Sequence, residues 1–289
     1  MKRLLAVSSL LVLVGLLRPA AAPAQFPGID KVIKVAEAQR AWSANEELAI
    51  GQATGAKLVA IFGLYEEPRA VKYVNLVGAS VAQHAPRQDM KYHFGILDTE
   101  MVNAFATPGG YVFVTRGLLA NLEDEAELAG VLAHEVIHTG ERHIEKELRN
   151  RKMAGIAVEA GAEQIPVGEL AHLADRVTNQ LLTGKLSRDK ENEADTRGLE
   201  LAAAAGYDPR AFPEFLGFLG QASNEADNKK AVGNLTASHP KFSDRVKRLE
   251  EQIAKRGWDK EERPRLAERF QENVVFPETP AEPAPPGQD

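Results

Sequence analysis

The chain has 289 residues, of which 44% are apolar and 26% are charged, and this is the composition of an ordinary globular protein. It excludes a wholly disordered chain and a polytopic membrane protein. The formal net charge of −6 argues against a strongly basic nucleic-acid-binding protein, so we expect no nucleic acid among the partners. The sequence contains no cysteine, which excludes disulfide bonds, thiolate metal ligands and thiol nucleophiles.

The first residues have the pattern of an export signal. Two basic residues precede an apolar run over residues 4–17, which is too short to span a bilayer comfortably. Residues 22–24, Ala-Pro-Ala, fit the small-residue pattern of a cleavage site. We therefore predict a signal peptide over residues 1–24, cleavage before Gln25 and a periplasmic protein, with an uncleaved membrane anchor as the alternative. After cleavage we expect no stable transmembrane anchor.

The pattern of the remaining chain predicts one mostly helical α+β domain over residues 30–275. We expect residues 221–240 to form a loop or a mobile cover, and the proline-rich residues 277–289 to form a disordered tail. The predicted elements, in chain order, are helices from Ser43 to about Phe62 and from Pro68 to about Ala85, strands over residues 92–97 and 111–115, a mostly helical stretch from Asp124 to about residue 205, and a helix that Ser243 caps and Gly257 ends.

An HExxH sequence occupies residues 134–138. His134 and His138 lie four positions apart and share one face of a helix, so both imidazoles can bind one metal ion. Glu135 then lies close enough to act on a water molecule at that ion. The alternative is a pair of core histidines that are satisfied by hydrogen bonds alone.

A catalytic zinc ion usually has three protein ligands, and two places in the sequence are candidates for the third. His143 lies about half a turn round from His134 on a continued helix, so we expect it to face away as a structural or surface residue. Glu191 and Asp195 lie four positions apart on a later predicted helix. Glu191 can complete the metal site, and Asp195 can bond the second nitrogen of a ligand imidazole.

The helix predicted around Glu191 has two further features. Gly198 lies on the same face as Glu191 and would permit a close approach between helices. Glu193 lies on another face, where we expect it to meet solvent or an ion pair. The alternative for the whole run is an ordinary charged and solvated helix face.

Four motifs accompany the HExxH: Asn-Ala-Phe-Ala-Thr-Pro-Gly-Gly at 103–110, Arg-Gly-Leu-Leu at 116–119, ExxxD at 191–195, and His-Pro at 239–240. With them the sequence resembles the BepA/LoiP-type periplasmic zinc metallopeptidases, relatives of HtpX and the Ste-type CAAX prenyl proteases, over roughly residues 40–255. The resemblance implies a gluzincin-like zincin fold with a small β-sheet beside the HExxH helix. It also implies one zinc ion per chain, bound by His134, His138 and Glu191, with Glu135 as the general base.

The His-Pro motif leaves more than one role open. In one member of the family the corresponding histidine, here His239, is a further zinc ligand in the resting enzyme, and the arginine that corresponds to Arg245 lies at the active site. Either residue could instead donate a hydrogen bond in the transition state. A third alternative for His239 is a turn that caps the following helix.

These features predict a zinc-dependent endopeptidase that hydrolyses unfolded or misassembled envelope proteins. An extended substrate could pair with the strand at residues 111–115 by β-augmentation, unless that strand is an ordinary buried one. The competing function is a non-catalytic, metal-stabilised periplasmic chaperone or assembly factor. Such a protein would be expected to lose the general base, so the presence of Glu135 favours catalysis.

Overall fold

The computed structural model describes residues 40–151, 165–223 and 242–276. The predicted signal peptide, the His239-Pro240 motif and the proline-rich tail lie outside these ranges, and the predictions made for them stay predictions. The described residues form a mostly helical α+β domain with a small sheet, so the predicted fold class is confirmed.

In the chain, two α-helices precede the first strand and eight follow the last one, among the described residues. Among the described residues, none of them combines the length and the apolar character that a membrane span requires. In chain order they are α1 Ala44–Phe62, α2 Pro68–Ala82, α3 Arg116–Leu119, α4 Glu125–Gly140, α5 His143–Asn150, α6 Val167–Thr183, α7 Arg188–Ala204, α8 Ala211–Ala222, α9 Phe242–Arg256 and α10 Ala267–Asn273.

Local signals placed some helix ends and missed others. α1 begins at the predicted capping box, in which the Ser43 hydroxyl accepts from the Glu46 N–H and the Glu46 carboxylate accepts from the Ser43 N–H. The prediction that Ser243 caps the last long helix is wrong, because α9 already includes Phe242. α8 had not been predicted, although its apolar face is buried.

The three strands form one mixed sheet in the order β1-β3-β2, with β1 at His93–Leu97, β2 at Ala104–Ala106 and β3 at Tyr111–Thr115. β1 is parallel to β3, and β2 is antiparallel to it. Because β3 lies between the other two strands, it offers no edge for β-augmentation, and of the two alternatives the ordinary buried strand is the one that the structure supports. The outer strand beside the HExxH helix is the short β2, which the sequence analysis did not identify as a strand.

The Pro-Gly-Gly motif joins β2 to β3 in a tight turn. The turn is closed by a 2.8 Å hydrogen bond from the Thr107 N–H to the Tyr111 carbonyl. Gly110 has a φ of 94°, and a Cβ atom there would lie 2.1 Å from the Lys91 carbonyl oxygen. Glycine is therefore required for both the backbone conformation and the space, and the motif fixes where β2 lies.

Helix α4 is the centre of the domain. All 16 of its residues are buried, and it packs against α2, α7, α8 and β2. A helix that is covered on every side has no need of a polar face. The polar side chains of the HExxH sequence are therefore held in the core, between α7 on one side and the small sheet on the other.

Candidate metal centre

The structure brings the side chains of His134, His138 and Glu191 together. The Nε2 atoms of the two histidines lie 2.9 Å apart. The Glu191 carboxylate lies 3.7 Å from Nε2 of His138 and 3.9 Å from Nε2 of His134. All three side chains are buried, and their ligand atoms all lie within 4.8 Å of one another.

These donor atoms fit a divalent metal ion. Two imidazole nitrogens and one carboxylate are the ligand set of many catalytic zinc sites, which keep a further position for water or substrate. The set contains no soft sulfur ligand, and imidazole suits zinc and other late transition metals better than it suits calcium or magnesium. His134, His138 and Glu191 are thus the described residues that could hold a metal.

The close approach of α7 to α4 forms this centre. A Cβ atom added at Gly198 would lie 3.0 Å from both N and Cα of His134, so the backbones of the two helices are in contact there. The prediction that Gly198 permits a close helix–helix approach is confirmed. One and two turns before Gly198, the same face of α7 carries Asp195 and Glu191 towards α4.

Asp195 lies behind His134, on the side away from Glu191. Its Oδ1 atom is 3.2 Å from Nδ1 of His134, and the side chain is completely buried. Burial opposes its ionisation, but the adjacent Arg245 guanidinium and the hydrogen bonds to it hold the pKa of Asp195 well below its usual range. At this distance an ionised Asp195 can accept a hydrogen bond from Nδ1 of His134, which would leave Nε2 to bind a metal.

Arg245 reaches the centre through Asp195. Its Nη2 and Nε atoms donate to the two carboxylate oxygens at 2.6 and 3.0 Å. A guanidinium has no lone pair to offer a metal, so Arg245 is not a fourth ligand. It also lines an apolar cavity beside Glu135. His239, the other candidate for a fourth ligand or a transition-state residue, lies outside the described residues.

Glu135 lines two separate cavities. It is only 6% exposed, and together with Ala104 it lines a cavity on the α6–α7 side and another on the α8 side. β2 therefore runs past the carboxylate that the sequence analysis identified as the general base. The apolar lining that α8 contributes through Phe212, Phe215 and Leu216 had no sequence signal beyond the hydrophobic character of that helix.

The expectation that His143 faces away from the site is wrong. α4 ends at Gly140 and α5 begins at His143, because Arg142 has a left-handed backbone with a φ of 54°. The His143 side chain is completely buried, and its Nδ1 atom lies 2.8 Å from Nδ1 of His138. Burial lowers the pKa of His143 to about 4. The glycine at 140 was the available signal, since glycine often marks a helix end.

Glu193 forms an ion pair, as the sequence analysis expected. Its Oε2 atom lies 3.3 Å from Nε2 of His143, and its Oε1 atom accepts from Arg197 at 3.1 Å. The carboxylate is 39% exposed. Glu193 thus contacts the residue behind His138 and does not belong to the ligand cluster itself.

Comparison with known proteins agrees with this geometry. The family model described as Peptidase family M48 matches residues 68–253, which is well over half of the chain. The chain is similar to the beta-barrel assembly-enhancing protease of Escherichia coli (strain K12), with 28% identity over 186 residues, or 60% of this chain and 37% of that protein. It is also similar to the mitochondrial metalloendopeptidase OMA1 of Schizosaccharomyces pombe, with 32% identity over 180 residues, or 62% of this chain and 52% of that protein.

A third relative extends the match to more of the chain. The putative beta-barrel assembly-enhancing protease of Vibrio cholerae is 27% identical over 233 residues, or 78% of this chain and 46% of that protein. The chain therefore spans about half the length, or less, of these curated relatives. The matched family region contains His134, Glu135, His138, Glu191 and Asp195. The chain belongs to peptidase family M48, and the prediction of a metalloendopeptidase is confirmed at the level of this family.

Proposed function

We propose that this chain is an exported, zinc-dependent endopeptidase that hydrolyses unfolded or misassembled envelope proteins. The observation that carries the proposal is the buried cluster of His134, His138 and Glu191 beside Glu135, in a cleft bounded by the outer strand β2. A candidate metal site, a candidate general base and a strand edge within one cleft support this proposal. The predicted signal peptide supports export to the periplasm.

The chain itself supplies the acid–base chemistry. Zinc, when bound, lowers the pKa of a water ligand and polarises a peptide carbonyl. Glu135 is adjacent to His134 on α4 and faces the cleft, so its carboxylate accepts the proton of the attacking water and passes it to the leaving amine. Asp195 holds the ring of His134 in the required tautomer during both proton transfers.

β2 offers backbone groups to an extended substrate. Hydrogen bonds from Thr115 N–H to the Asn103 carbonyl and from Thr107 N–H to the Tyr111 carbonyl show that the odd-numbered residues of this stretch bond to β3. By the alternation of an antiparallel pair, the backbone groups of Ala104 and Ala106 point away from β3. The Asn103 side chain accepts from the Ala104 N–H, which leaves the carbonyl of Ala104 and both groups of Ala106 for a substrate.

The two cavities beside Glu135 favour apolar substrate side chains. One is lined by Leu181 and Leu186 as well as β2, and the other by Phe212, Phe215 and Leu216 of α8. A peptide that pairs with β2 would place the side chains on either side of the cleaved bond next to these two cavities. Neighbouring apolar residues are usually buried in folded proteins and become accessible on unfolding. Backbone pairing together with apolar cavities therefore suits unfolded substrates of varied sequence.

The names of the relatives support a role in the cell envelope. Two of them are named as beta-barrel assembly-enhancing proteases, and the predicted signal would place this chain in the compartment through which outer-membrane proteins pass. We therefore propose unfolded or misassembled envelope proteins as the natural substrates. Activity on unfolded chains in general is the broader form of the same proposal.

The decisive experiment compares the purified wild-type chain with Glu135→Gln. Glutamine has nearly the same size as glutamate but cannot accept a proton, so zinc content and folding should be retained while hydrolysis falls by a factor on the order of 100 or more. The substrates are casein and a urea-unfolded outer-membrane protein, each followed by gel and mass spectrometry with and without chelator. Hydrolysis by Glu135→Gln at the wild-type rate would contradict the proposed role of Glu135.

The same pair of proteins tests the alternative function. A non-catalytic, metal-stabilised chaperone would suppress aggregation of the unfolded substrates equally well in both forms, and neither form would cleave them. A protease should instead cleave the substrates in its wild-type form, while Glu135→Gln should at most bind them without cleaving them. Zinc content, measured on both proteins, shows that the comparison is made between equally loaded sites.

A further inference from the structure

His143 lies directly behind the metal-site histidine His138. The two Nδ1 atoms are 2.8 Å apart, and the rings meet edge to face with their centroids 4.9 Å apart. The opposite nitrogen of His143, Nε2, lies 3.3 Å from Oε2 of Glu193. A line of side chains therefore runs from the metal-binding edge of His138 through His143 to a carboxylate at the surface.

The backbone is built to aim His143 at this position. A left-handed conformation is unfavourable for a residue other than glycine, and Arg142 adopts one. Its guanidinium bonds the Trp42 carbonyl at 3.1 Å and lies 2.8 Å from Oε2 of Glu47. These contacts hold the turn that ends α4 and brings His143 beside His138.

The positions of the protons follow from the distances. Two Nδ1 atoms at 2.8 Å share one hydrogen, so one of them donates and the other accepts. If Nε2 of His138 binds a metal, the neutral ring carries its proton on Nδ1, and Nδ1 of His143 is the acceptor. The proton of His143 is then on Nε2, where it faces the Glu193 carboxylate. In this arrangement His138 donates from Nδ1, and His143 accepts at Nδ1 and donates from Nε2.

We propose that His143 is a positioning residue for the zinc site: it accepts the Nδ1 proton of His138, and so fixes the tautomer and the ring orientation that present Nε2 of His138 to the metal. Glu193 is the outer end of this line and fixes the tautomer of His143 in turn. The inference rests on the proposed zinc site and assigns a role that the HExxH and ExxxD motifs do not cover.

The two ligand histidines are therefore supported differently. His134 is backed by Asp195, a buried carboxylate that is itself paired with Arg245. His138 is backed by an imidazole, and the nearest carboxylate, Glu193, is 39% exposed. Partners of this kind behind a metal ligand typically change metal affinity by about 10–100-fold, so the role of His143 is measurable without any substrate.

Three substitutions of His143 separate positioning from packing. In His143→Asn the amide oxygen lies close to the former Nδ1 position and can still accept the proton of His138. In His143→Gln the amide extends towards the former Nε2 position and the acceptor for His138 is lost. His143→Leu fills similar space and offers no polar atom. Only His143→Asn keeps an acceptor for the His138 proton, whereas His143→Leu is the most apolar of the three variants. A loss of the hydrogen bond and a change in packing therefore predict different rankings of the variants.

The experiment measures zinc affinity by chelator competition, together with urea unfolding of each metal-free protein and the visible spectrum of each Co²⁺-loaded protein. We expect zinc binding to weaken by about 10–100-fold in His143→Leu and His143→Gln but by no more than about 3-fold in His143→Asn. The Co²⁺ spectrum should change in the first two variants only. The matched control is Glu193→Gln, whose amide oxygen still accepts from His143, and its zinc affinity should stay close to that of the wild type.

Two results would overturn the inference. One is wild-type zinc affinity with an unchanged Co²⁺ spectrum in His143→Leu. The other is an equal weakening in all three variants that parallels their loss of metal-free stability, which would mean that His143 only fills space. If the wild-type chain itself binds no zinc, the proposed function fails first, and that failure is visible before any variant is compared.

Discussion

Arg245 and Asp195 form a buried, two-point ion pair directly behind His134, one of the three residues that could hold a metal. The pair joins α9 to α7. Arg245 keeps Asp195 ionised, and the Asp195 carboxylate lies beside Nδ1 of the His134 ring. Because both partners are buried, neither charge can be left alone without a large loss of stability. The pair therefore connects the folding of the domain to the geometry of its proposed metal site.

We expect Arg245→Ala to lower the free energy of unfolding by about 3–5 kcal/mol, because it leaves the Asp195 charge buried without its main partner. Asp195→Ala should weaken zinc binding by roughly 10–100-fold, because His134 loses the acceptor for its Nδ1 proton. Urea unfolding measures the first effect and chelator competition the second.

Arg248→Ala is the matched control for this prediction. Arg248 also donates to Asp195, but its side chain is 32% exposed, so its removal should cost no more than about 1 kcal/mol. Equal losses in Arg245→Ala and Arg248→Ala would contradict the special place of the buried pair. Unchanged zinc affinity in Asp195→Ala would make Asp195 a structural acid only.

Gly198 provides the second prediction. In most helix interiors alanine is more favourable than glycine by about 1 kcal/mol. At Gly198 an added Cβ would lie 3.0 Å from two backbone atoms of His134, and a buried helix backbone cannot move aside easily. We expect Gly198→Ala to destabilise the protein by about 1–3 kcal/mol. It should also weaken zinc binding, because the added methyl group would push α7 away from α4 and move Glu191 and Asp195 with it.

Gly217 is the control for Gly198. It is also a helical glycine, in α8, and nothing lies within 4 Å of the place where its Cβ would be. Gly217→Ala should therefore be neutral or stabilising, with unchanged zinc affinity. If Gly198→Ala were equally harmless, the close contact between α4 and α7 would not be what sets the position of Glu191.

How far the sequence predicted this fold depends on the range of the interactions involved. The capping box of Ser43 and the i, i+4 spacing of His134 and His138 are local, and both appeared in the structure as expected. β1 and β3 are rich in aromatic and β-branched residues and were placed within one residue of their observed bounds. Glu191 could be proposed only because the HExxH sequence called for a third ligand.

The misses have physical reasons as well. β2 is Ala-Phe-Ala, in which two of the three residues are of a type depleted in strands, and it pairs with β3 along its whole length. The central position of β3 depends on which strands pair with it, so it could not be predicted from the residues of β3 alone. His143 was misplaced because a single left-handed residue, Arg142, ends the periodicity of α4, and the partners that hold that residue are distant in the chain.

The third prediction concerns metal removal. The purified chain should contain about one equivalent of zinc, and at a free concentration of 100 times the dissociation constant the metal adds about 2.7 kcal/mol to stability. In a domain of this size that corresponds to a melting temperature roughly 5–10 °C higher with zinc than after chelation. Calorimetry with chelator, and then with zinc restored, measures the difference.

Two histidine variants make this prediction specific. His138→Ala removes a proposed ligand, so its melting temperature should not respond to chelator. His93→Ala is the control, because His93 is exposed on β1 and stacks on Tyr111 away from the metal centre; it should respond as the wild type does. A chelator effect that persists in His138→Ala would place the metal elsewhere.

The fourth prediction is a pH dependence that originates at the start of α4. Glu127 is buried, and its carboxylate accepts from the Glu123 N–H at 2.6 Å. Burial raises the pKa of Glu127 to about 7, from an ordinary value of 4.5. The folded state thus holds this proton more tightly than the unfolded state, so the stabilisation is complete below pH 4.5 and is lost as the pH rises through 7.

Glu127→Gln should remove this dependence, because the amide does not titrate and its oxygen can still accept from the Glu123 N–H. Relative to the wild type, the variant should be equally stable near pH 4.5 and more stable above pH 7, by up to about 3 kcal/mol. Urea unfolding at a series of pH values measures the difference between the two proteins, in which the titration of all other groups cancels. Glu123→Gln, an exposed neighbour on the same turn, should leave the wild-type dependence nearly unchanged. A constant difference between Glu127→Gln and the wild type from pH 4.5 to pH 8 would show that Glu127 is ionised in the folded protein throughout this range.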